Sequence, residues 1–280
     1  MDQFGYRFLK VLGLKKRSPS EEALKEIVRV HISRIPFENI SKLYYKKHLE
    51  LQELPEFGLY LDGIERYHFG GTCYANNYYL NRLLTWLGYE VKLCGADMAE
   101  RDVHVVNVVR IVNDVNSVSG MKNVDNGGRN YLVDAGYAAP FREPLPLDHS
   151  SDLVINSGRN RYVLKPFDSK TSRHPMEVYR DGILRHGYRI NPAPKKIEDF
   201  QAVIAHSFRE ESTFLNSILV TRFDGDRFIS IRNLSITEST PGELEERILE
   251  SKKELAGVIE QRIGIPAEII LESISWIDLL

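Results

Sequence analysis

Apolar residues in this chain recur at helical spacing up to Gly88 and at strand spacing from Tyr89 onward, and that one change of period limits the folds open to it. On the helical side, residues 17–35 (RSPSEEALKEIVRVHISRI) open with Ser18 as a cap, Pro19 at the first helical position and Glu21 three residues after the cap. Leu24, Ile27, Val28, His31 and Ile35 follow on one face. A shorter helical segment precedes this one, and Pro36 ends the helix at or before Ile35, so IPFENISKLY reads as a loop. Residues 75–87 (ANNYYLNRLLTWL) form a second helix, closed by Gly88 where a left-handed residue is wanted. Its buried stripe runs through Cys73, Asn77, Leu80, Leu84 and Leu87.

Beyond Tyr89 the segments YEVKLCGADM, VHVVNVVRIV and RNYLVDAGY are short and rich in β-branched and aromatic residues. Between the second and third lies a polar stretch, residues 113–128, with Gly120, Gly127 and Gly128 and no periodicity. It reads as an exposed hairpin tip whose flanking strands pair antiparallel. Asp181-Gly182 and Asp224-Gly225 mark two further hairpins. Thr240, Pro241 and Glu243 form a second capping signature ahead of Leu244, Ile248, Leu249, Leu255, Val258 and Ile259, so the tail reads as helix. This order, with no repeat of 20 to 50 residues, argues for an α+β fold and against alternating β-α-β units.

Composition narrows the partners. With 37 Lys+Arg against 39 Asp+Glu, no excess of positive charge exists for nucleic acid or an anionic membrane. No run approaches the ~18 apolar residues of a membrane span, and the opening MDQFGYRFLKVLGLKKR has none of the layout of a secretion signal. Neither nucleic acid nor membrane is expected as a partner, and the expected location is cytoplasmic. Two cysteines, Cys73 and Cys94, are too few for a disulfide scaffold and suit a reducing compartment.

Cys73 follows Gly70 and Gly71 and opens a helix, where free N–H groups and the helix dipole favour a thiolate. The same pattern also suits a buried structural cysteine after a turn. Cys94, in mid-strand, reads as packing. His104 lies among valines in VHVVNVV, and Asp134 interrupts YLVDAG in the neighbouring strand. Singly, these read as a hydrogen-bonded interior histidine and a strand-end turn former. Jointly, adjacent strands would bring them to the helix at Cys73 as nucleophile, base and orienting acid. No close Cys/His cluster has zinc spacing, so no metal is expected.

IPFENI at 35–40, GGTCYANNYYLNRLLTWLGYEV at 70–91, DVHVVNVV at 102–109 and YLVDAGYAAPFREPLPL at 131–147 together resemble the arylamine N-acetyltransferase family, in order and largely in spacing. That resemblance implies a helical bundle carrying the cysteine (1–90), an antiparallel β-barrel carrying the histidine and aspartate (91–200) and an α/β lid (201–280). It also implies acetyl-CoA as co-substrate, a thioester on Cys73, and an arylamine, arylhydrazine or N-hydroxyarylamine as acceptor, with His104 and Asp134 completing a triad. By matching positions it implies Phe37 and Tyr137 on the acceptor pocket, and Met98, Tyr137 and Ser212 toward CoA. Alternatives within reach of the same triad are an acyltransferase, amide synthase or hydrolase using another donor or acceptor, or a CoA-binding relative without turnover.

The chain departs from the family at two places on the expected active-site floor: Phe69 stands where an arginine is usual, and Ala75 where Glu or Gln is usual. Glu38 therefore needs another cation, with Arg66 or Arg82 as candidates, or must turn to solvent. The pair Tyr137-Ala138 and the segment SFREES before Ser212 also differ, and His104 to Asp134 is longer than usual because of the polar insertion.

Overall fold

A computed structural model describes residues 1–112, 128–240 and 242–278. Most of the expected hairpin tip lies outside these residues. Helices α1 (Asp2–Leu12), α2 (Glu21–Arg34), α3 (Ile40–Leu49), α4 (Phe57–Tyr67) and α5 (Cys73–Leu87) precede the strands, apart from the two-residue β1 (Phe37–Glu38). Helix α5 ends at Gly88 with φ 94°, as its sequence predicts, and Cys73, Asn77, Leu80, Leu84 and Leu87 are all buried.

The middle of the chain forms one antiparallel sheet from β2 (Glu90–Asp97), β3 (His104–Val112), β4 (Gly128–Val133), β5 (Leu145–Pro146), β6 (Leu153–Ser157), β7 (Asn160–Leu164), β8 (His174–Arg180) and β9 (Ile183–Lys195). Its order is β5-β4-β3-β2-β9-β8-β7-β6, and the end strands β5 and β6 do not pair with each other. The expected barrel is thus an open sheet. Strands β3 and β4 pair antiparallel from Asn107 opposite Val133 to Val112 opposite Gly128, as the hairpin reading requires. Asp181 and Gly182 both take positive φ in the β8–β9 turn, the twist-matched hairpin geometry.

After a 3-10 turn (Ile197–Phe200) come α6 (Gln201–His206) and α7 (Thr213–Asn216), then β10 (Leu219–Asp224), β11 (Arg227–Arg232), β12 (Ser235–Thr240), β13 (Glu243–Ile248), α8 (Lys252–Ile263) and α9 (Ala267–Ser273). The second sheet runs β1-β10-β11-β12-β13, so a strand from the first third of the chain forms its edge. One apolar cluster joins α1, α2, α4 and α5 to the large sheet. A second joins α3, Phe69, Cys73 and Tyr74 to the C-terminal third. Cys73 belongs to the second cluster and Ala75 to the first, so the start of α5 lies at the seam between them.

Three local expectations change. Ser20 rather than Ser18 caps α2, its Oγ accepting from the Ala23 N–H at 3.1 Å. This puts Glu21 and Glu22 in the first turn, where the dipole favours acids. IPFENISKLY is not a loop but β1 and the first half of α3, because β1 finds a partner in β10 far along the chain. Residues 243–248 form strand β13, folded back on β12 through Gly242 at φ 87°, and the C-terminal helix starts only after Ser251, whose Oγ caps Glu254 N at 3.2 Å. Leu244 and Ile248 stand four apart, a helical spacing, so it is the ladder with β12 that makes this segment a strand.

The junction at β1 fixes two side chains. Asn39 is fully buried: its Nδ2 donates to the carbonyls of Phe214 (3.0 Å) and Ser217 (2.6 Å), and its Oδ1 accepts from Leu219 N (2.8 Å). Glu38, also fully buried, meets neither Arg66 nor Arg82, nor does it turn to water. Its carboxyl accepts from Ser41 N at 2.8 Å and Gly70 N at 3.0 Å, while Arg82 bonds the Tyr78 hydroxyl instead. Phe69 packs into an aromatic group with Tyr44, Tyr45 and Tyr67. Burial pushes the Glu38 carboxyl upward against these hydrogen bonds, so the carboxyl is held toward its neutral form and no cation is needed. Gly70 admits this arrangement because a Cβ there would sit 1.9 Å from the Pro36 carbonyl oxygen.

Asn39→Ala strands buried backbone groups at this junction and is expected to cost about 3 kcal/mol in urea unfolding. A raised Glu38 contributes stability below its unfolded-state value that is lost as pH rises. Urea midpoints at pH 5 and pH 8 should therefore fall less for Glu38→Gln than for the wild type; an equal fall would show that Glu38 stays ionised.

Candidate active site

The first turn of α5 carries Cys73 at the helix start, where the first N–H groups have no partner within the helix. Asn76 steadies that start: its Nδ2 donates to Gly71 O (3.0 Å) and Pro36 O (3.3 Å), and its Oδ1 accepts from the Tyr60 hydroxyl (3.1 Å). One turn on from Cys73, Asn77 ties α5 to two strands. Its Nδ2 donates to Val105 O at 2.6 Å and to Asp134 Oδ1 at 2.8 Å, and its Oδ1 accepts from Ala135 N at 2.8 Å.

These ties bring the three residues together. His104 opens β3, Asp134 follows β4, and His104 Nε2 lies 2.8 Å from Asp134 Oδ2 with both side chains almost wholly buried. Cys73 lies near enough to the imidazole to help raise it, and since Nε2 is taken by Asp134, Nδ1 is the nitrogen left to face the sulfur. Gly136 lets the chain after Asp134 press on Cys73, for a Cβ there would meet Cys73 Cα at 2.6 Å.

Electrostatics follow from the burial. Desolvation opposes charge on both His104 and Asp134, yet their mutual attraction outweighs it: the imidazole is pushed up to about 10 and the carboxyl is held below its ordinary value. Asp134 accepts further from Gly136 N (3.0 Å) and from the Tyr188 hydroxyl (2.8 Å). Burial and the Asp134 charge drive the Tyr188 phenol upward, so it stays protonated and donates. Such a set can keep an imidazolium beside a sulfur while water is excluded.

Around the triad lies an aromatic wall. The Tyr137 ring centre is 5.3 Å from His104 and 4.6 Å from Tyr188, and its hydroxyl contacts His186 Nδ1 at 2.7 Å. Met98, exposed, lines a groove with His186 and Tyr188. Phe37 bridges Gly71 through the backbone, and its ring is edge-on to Phe214 at 6.5 Å. Ser212 caps α7, its Oγ accepting from Phe214 N at 3.4 Å, two residues from that ring. Phe37, Met98, Tyr137 and Ser212 thus lie on four separate segments, with Tyr137 the one whose ring contacts His104.

Sequence reasoning missed Tyr188 and Lys42. The alternation in RHGYRI places Tyr188 inward, but nothing in it announces a hydroxyl aimed at Asp134. Lys42, between Ser41 and Leu43 on α3, lies near enough to Cys73 for the two charges to interact. Cys94 is packed in its strand, as expected, and burial pushes its thiol up to about 12. Among the described residues there is no group of three or more His, Cys, Asp or Glu side chains set to hold a metal, and no helix is long and apolar enough to cross a membrane.

Comparison with known proteins agrees with this geometry. Residues 21–271 match the N-acetyltransferase family. The chain is 27% identical over 229 residues to the pineal gland isozyme NAT-3 arylamine N-acetyltransferase of Gallus gallus, covering 75% of this chain and 72% of that protein. It is 36% identical to the N-malonyltransferase FDB2 of Gibberella moniliformis over 101 residues, a third of this chain and 28% of that one. The fold superposes on the Mycobacterium marinum arylamine N-acetyltransferase in complex with CoA at a TM-score of 0.74, with 18% identity over 96% of this chain and 97% of that one. The chain belongs to the arylamine N-acetyltransferase family, whose members are acyltransferases.

Proposed function

We propose that this protein moves an acetyl group from acetyl-CoA to an arylamine, arylhydrazine or N-hydroxyarylamine by way of a thioester on Cys73. The observation that carries this reading is the buried chain from the Cys73 sulfur through His104 to Asp134, closed by the 2.8 Å contact of Nε2 and Oδ2. In the first half, the Cys73 sulfur attacks the thioester carbonyl, and the CoA sulfur leaves with the proton that His104 holds. Free N–H groups at the start of α5 offer support to the oxyanion. In the second half, the amine nitrogen attacks the Cys73 thioester, His104 takes its proton, and the sulfur is released.

Asp134 fixes the ring throughout and stabilises its charge whenever His104 holds the proton, before CoA leaves and again once the amine has given its proton up. Exchange of one thioester for another is nearly balanced, so the protein's task is to keep the thiolate poised and the intermediate dry. Phe37 and Tyr137 supply apolar faces for a flat acceptor, with Met98 at the groove mouth, and Ser212 marks the approach for CoA. The reading divides the chain at about residues 90 and 200 into cysteine-bearing, His/Asp-bearing and covering parts, and places it in the cytoplasm, where Cys73 and Cys94 stay free thiols. The malonyl group named for the fungal relative is a second acyl class that the same sulfur would accept by the same steps.

With acetyl-CoA alone, intact mass should rise by about 42 Da on the wild type and not on Cys73→Ala. An aromatic amine should discharge the adduct far faster than water does; equal rates would make the protein a hydrolase and end this reading. The pH dependence carries its own sign. His104 must be protonated to hold the pair, and its pushed-up value of about 10 predicts an acylation rate that is level from neutral pH and declines as pH rises through about 10. Asp134→Asn removes the charge that raises His104, so stopped-flow acylation should show that decline at lower pH.

A further inference from the structure

His104 stands at the open end of its strand. Its pairing with Ala96 is the last rung of the β2–β3 ladder, and the β3–β4 ladder begins only at Asn107. The sheet therefore holds the histidine from one side alone, at a point where ladders ordinarily fray. Two side chains of α5 close the gap. Tyr74, the residue after Cys73, donates its hydroxyl to the Asp102 carbonyl at 2.6 Å, and Asn77 donates to the Val105 carbonyl at the same distance. Tyr74 and Asn77 are three residues apart, on one face of the helix. The carbonyls they take stand two residues before His104 and one after it. The turn that carries the sulfur thus grips the segment that carries the imidazole at two points, one on either side of the histidine.

The far point is itself held. Asp102 keeps φ 58°, a left-handed backbone that a residue other than glycine holds where its surroundings fix it. Its N–H donates to Asp97 Oδ1 at 3.1 Å. Its Oδ2 pairs with Lys195 Nζ at the end of β9 and faces Arg101 Nε at 3.5 Å. Asp97 in turn meets Arg173 Nε at 3.3 Å. Gly95 leaves room for this carboxylate, since a Cβ there would overlap Asp102 Oδ1. Tyr74 is fixed as well, its ring buried and edge-on to Phe200 at 5.7 Å. Burial drives its phenol upward, with the charges of Cys73 and Asp102 adding to the effect, so the hydroxyl keeps its proton and donates.

We infer that the Tyr74 hydroxyl is a positioning group for the Cys73–His104 pair: by tying the first turn of α5 to the Asp102 carbonyl, it fixes how closely sulfur and imidazole stand. This rests on the thioester reading above, which needs that pair, and adds the bond that sets its separation. Asn77 alone is a pivot on the far side of His104. With the hydroxyl gone, the segment before the histidine is free to turn about it. The attraction between a thiolate and an imidazolium falls with separation, and with little water to screen it a small shift is felt.

Tyr74→Phe removes the hydroxyl and leaves the ring on Phe200. Alkylation of Cys73 by iodoacetamide, followed by peptide mass, reads the thiolate without any acyl donor. The ratio of the rate at pH 7 to that at pH 9.5 cancels differences in access. This ratio should be about tenfold lower in Tyr74→Phe than in the wild type. Maximal acylation by acetyl-CoA should fall with it, while the acetyl-CoA concentration giving half that rate stays. Tyr45→Phe is the structural control: its hydroxyl donates to the Leu59 carbonyl at 3.1 Å from an equally buried ring, and ties nothing to His104. It should lose similar stability in urea and keep the wild-type ratio. An unchanged ratio in Tyr74→Phe overturns the inference, and so does an equal drop in Tyr45→Phe, which would mark a general loosening. A wild-type ratio no higher than that of free cysteine means that there is no pair to position, and the failure then lies with the thioester reading.

Discussion

A carboxylate shut away from water has to be met by donors on every side, and the way Asp134 meets this demand sets the shape of the site. Its oxygens receive the Asn77 amide, the Gly136 N–H, the Tyr188 hydroxyl and the His104 ring. Those four come from α5, the turn after β4, β9 and β3. Helix and sheet are therefore locked together by the charge that also holds the imidazolium. Remove the charge and the helix loses its register against the sheet as well as its chemistry. In this fold the polar core and the proposed reaction centre are one structure.

Glu38 shows the opposite solution to the same problem. It too is fully buried, but its partners are neutral, backbone N–H groups and the Ser41 side chain, so burial drives it toward neutrality instead of ionisation. Two acids within one small region thus hold different charge because one faces a base and the other does not. The arginine-to-phenylalanine departure at Phe69 is tolerated for that reason: neutral Glu38 no longer requires a cation, and the place is filled by tilted and edge-on rings.

Much of this was legible in the residues. The α5 stripe, its Gly88 stop, the β3–β4 pairing and the meeting of Cys73, His104 and Asp134 follow from local period and from the joint oddity of polar residues in apolar strands. What failed to show was tertiary. Strand β1 exists only because β10 pairs with it, so no window around Phe37 reveals it. Residues 243–248 follow a capping pattern and space Leu244 and Ile248 as a helix would, and only the β12 ladder makes them a strand. Glu38 misled because charge was assumed; whether a carboxyl ionises depends on partners that a single sequence does not place. Lys42 carried no signal at all, since an isolated lysine on a helix is ordinarily a solvated one.

The edge position of β1 has a further consequence for how the protein comes into being. Phe37 and Glu38 leave the ribosome long before Val220 and Thr221, their ladder partners, and Asn39 waits as long for Phe214, Ser217 and Leu219. Until those residues are synthesised, the turn that seats Cys73 has an unpaired edge and a buried amide without acceptors. The nucleophile is near the start of the chain, yet its seat is finished only when most of the chain has emerged, so a ribosome that stalls before residue 221 yields a thiol exposed on an incomplete floor.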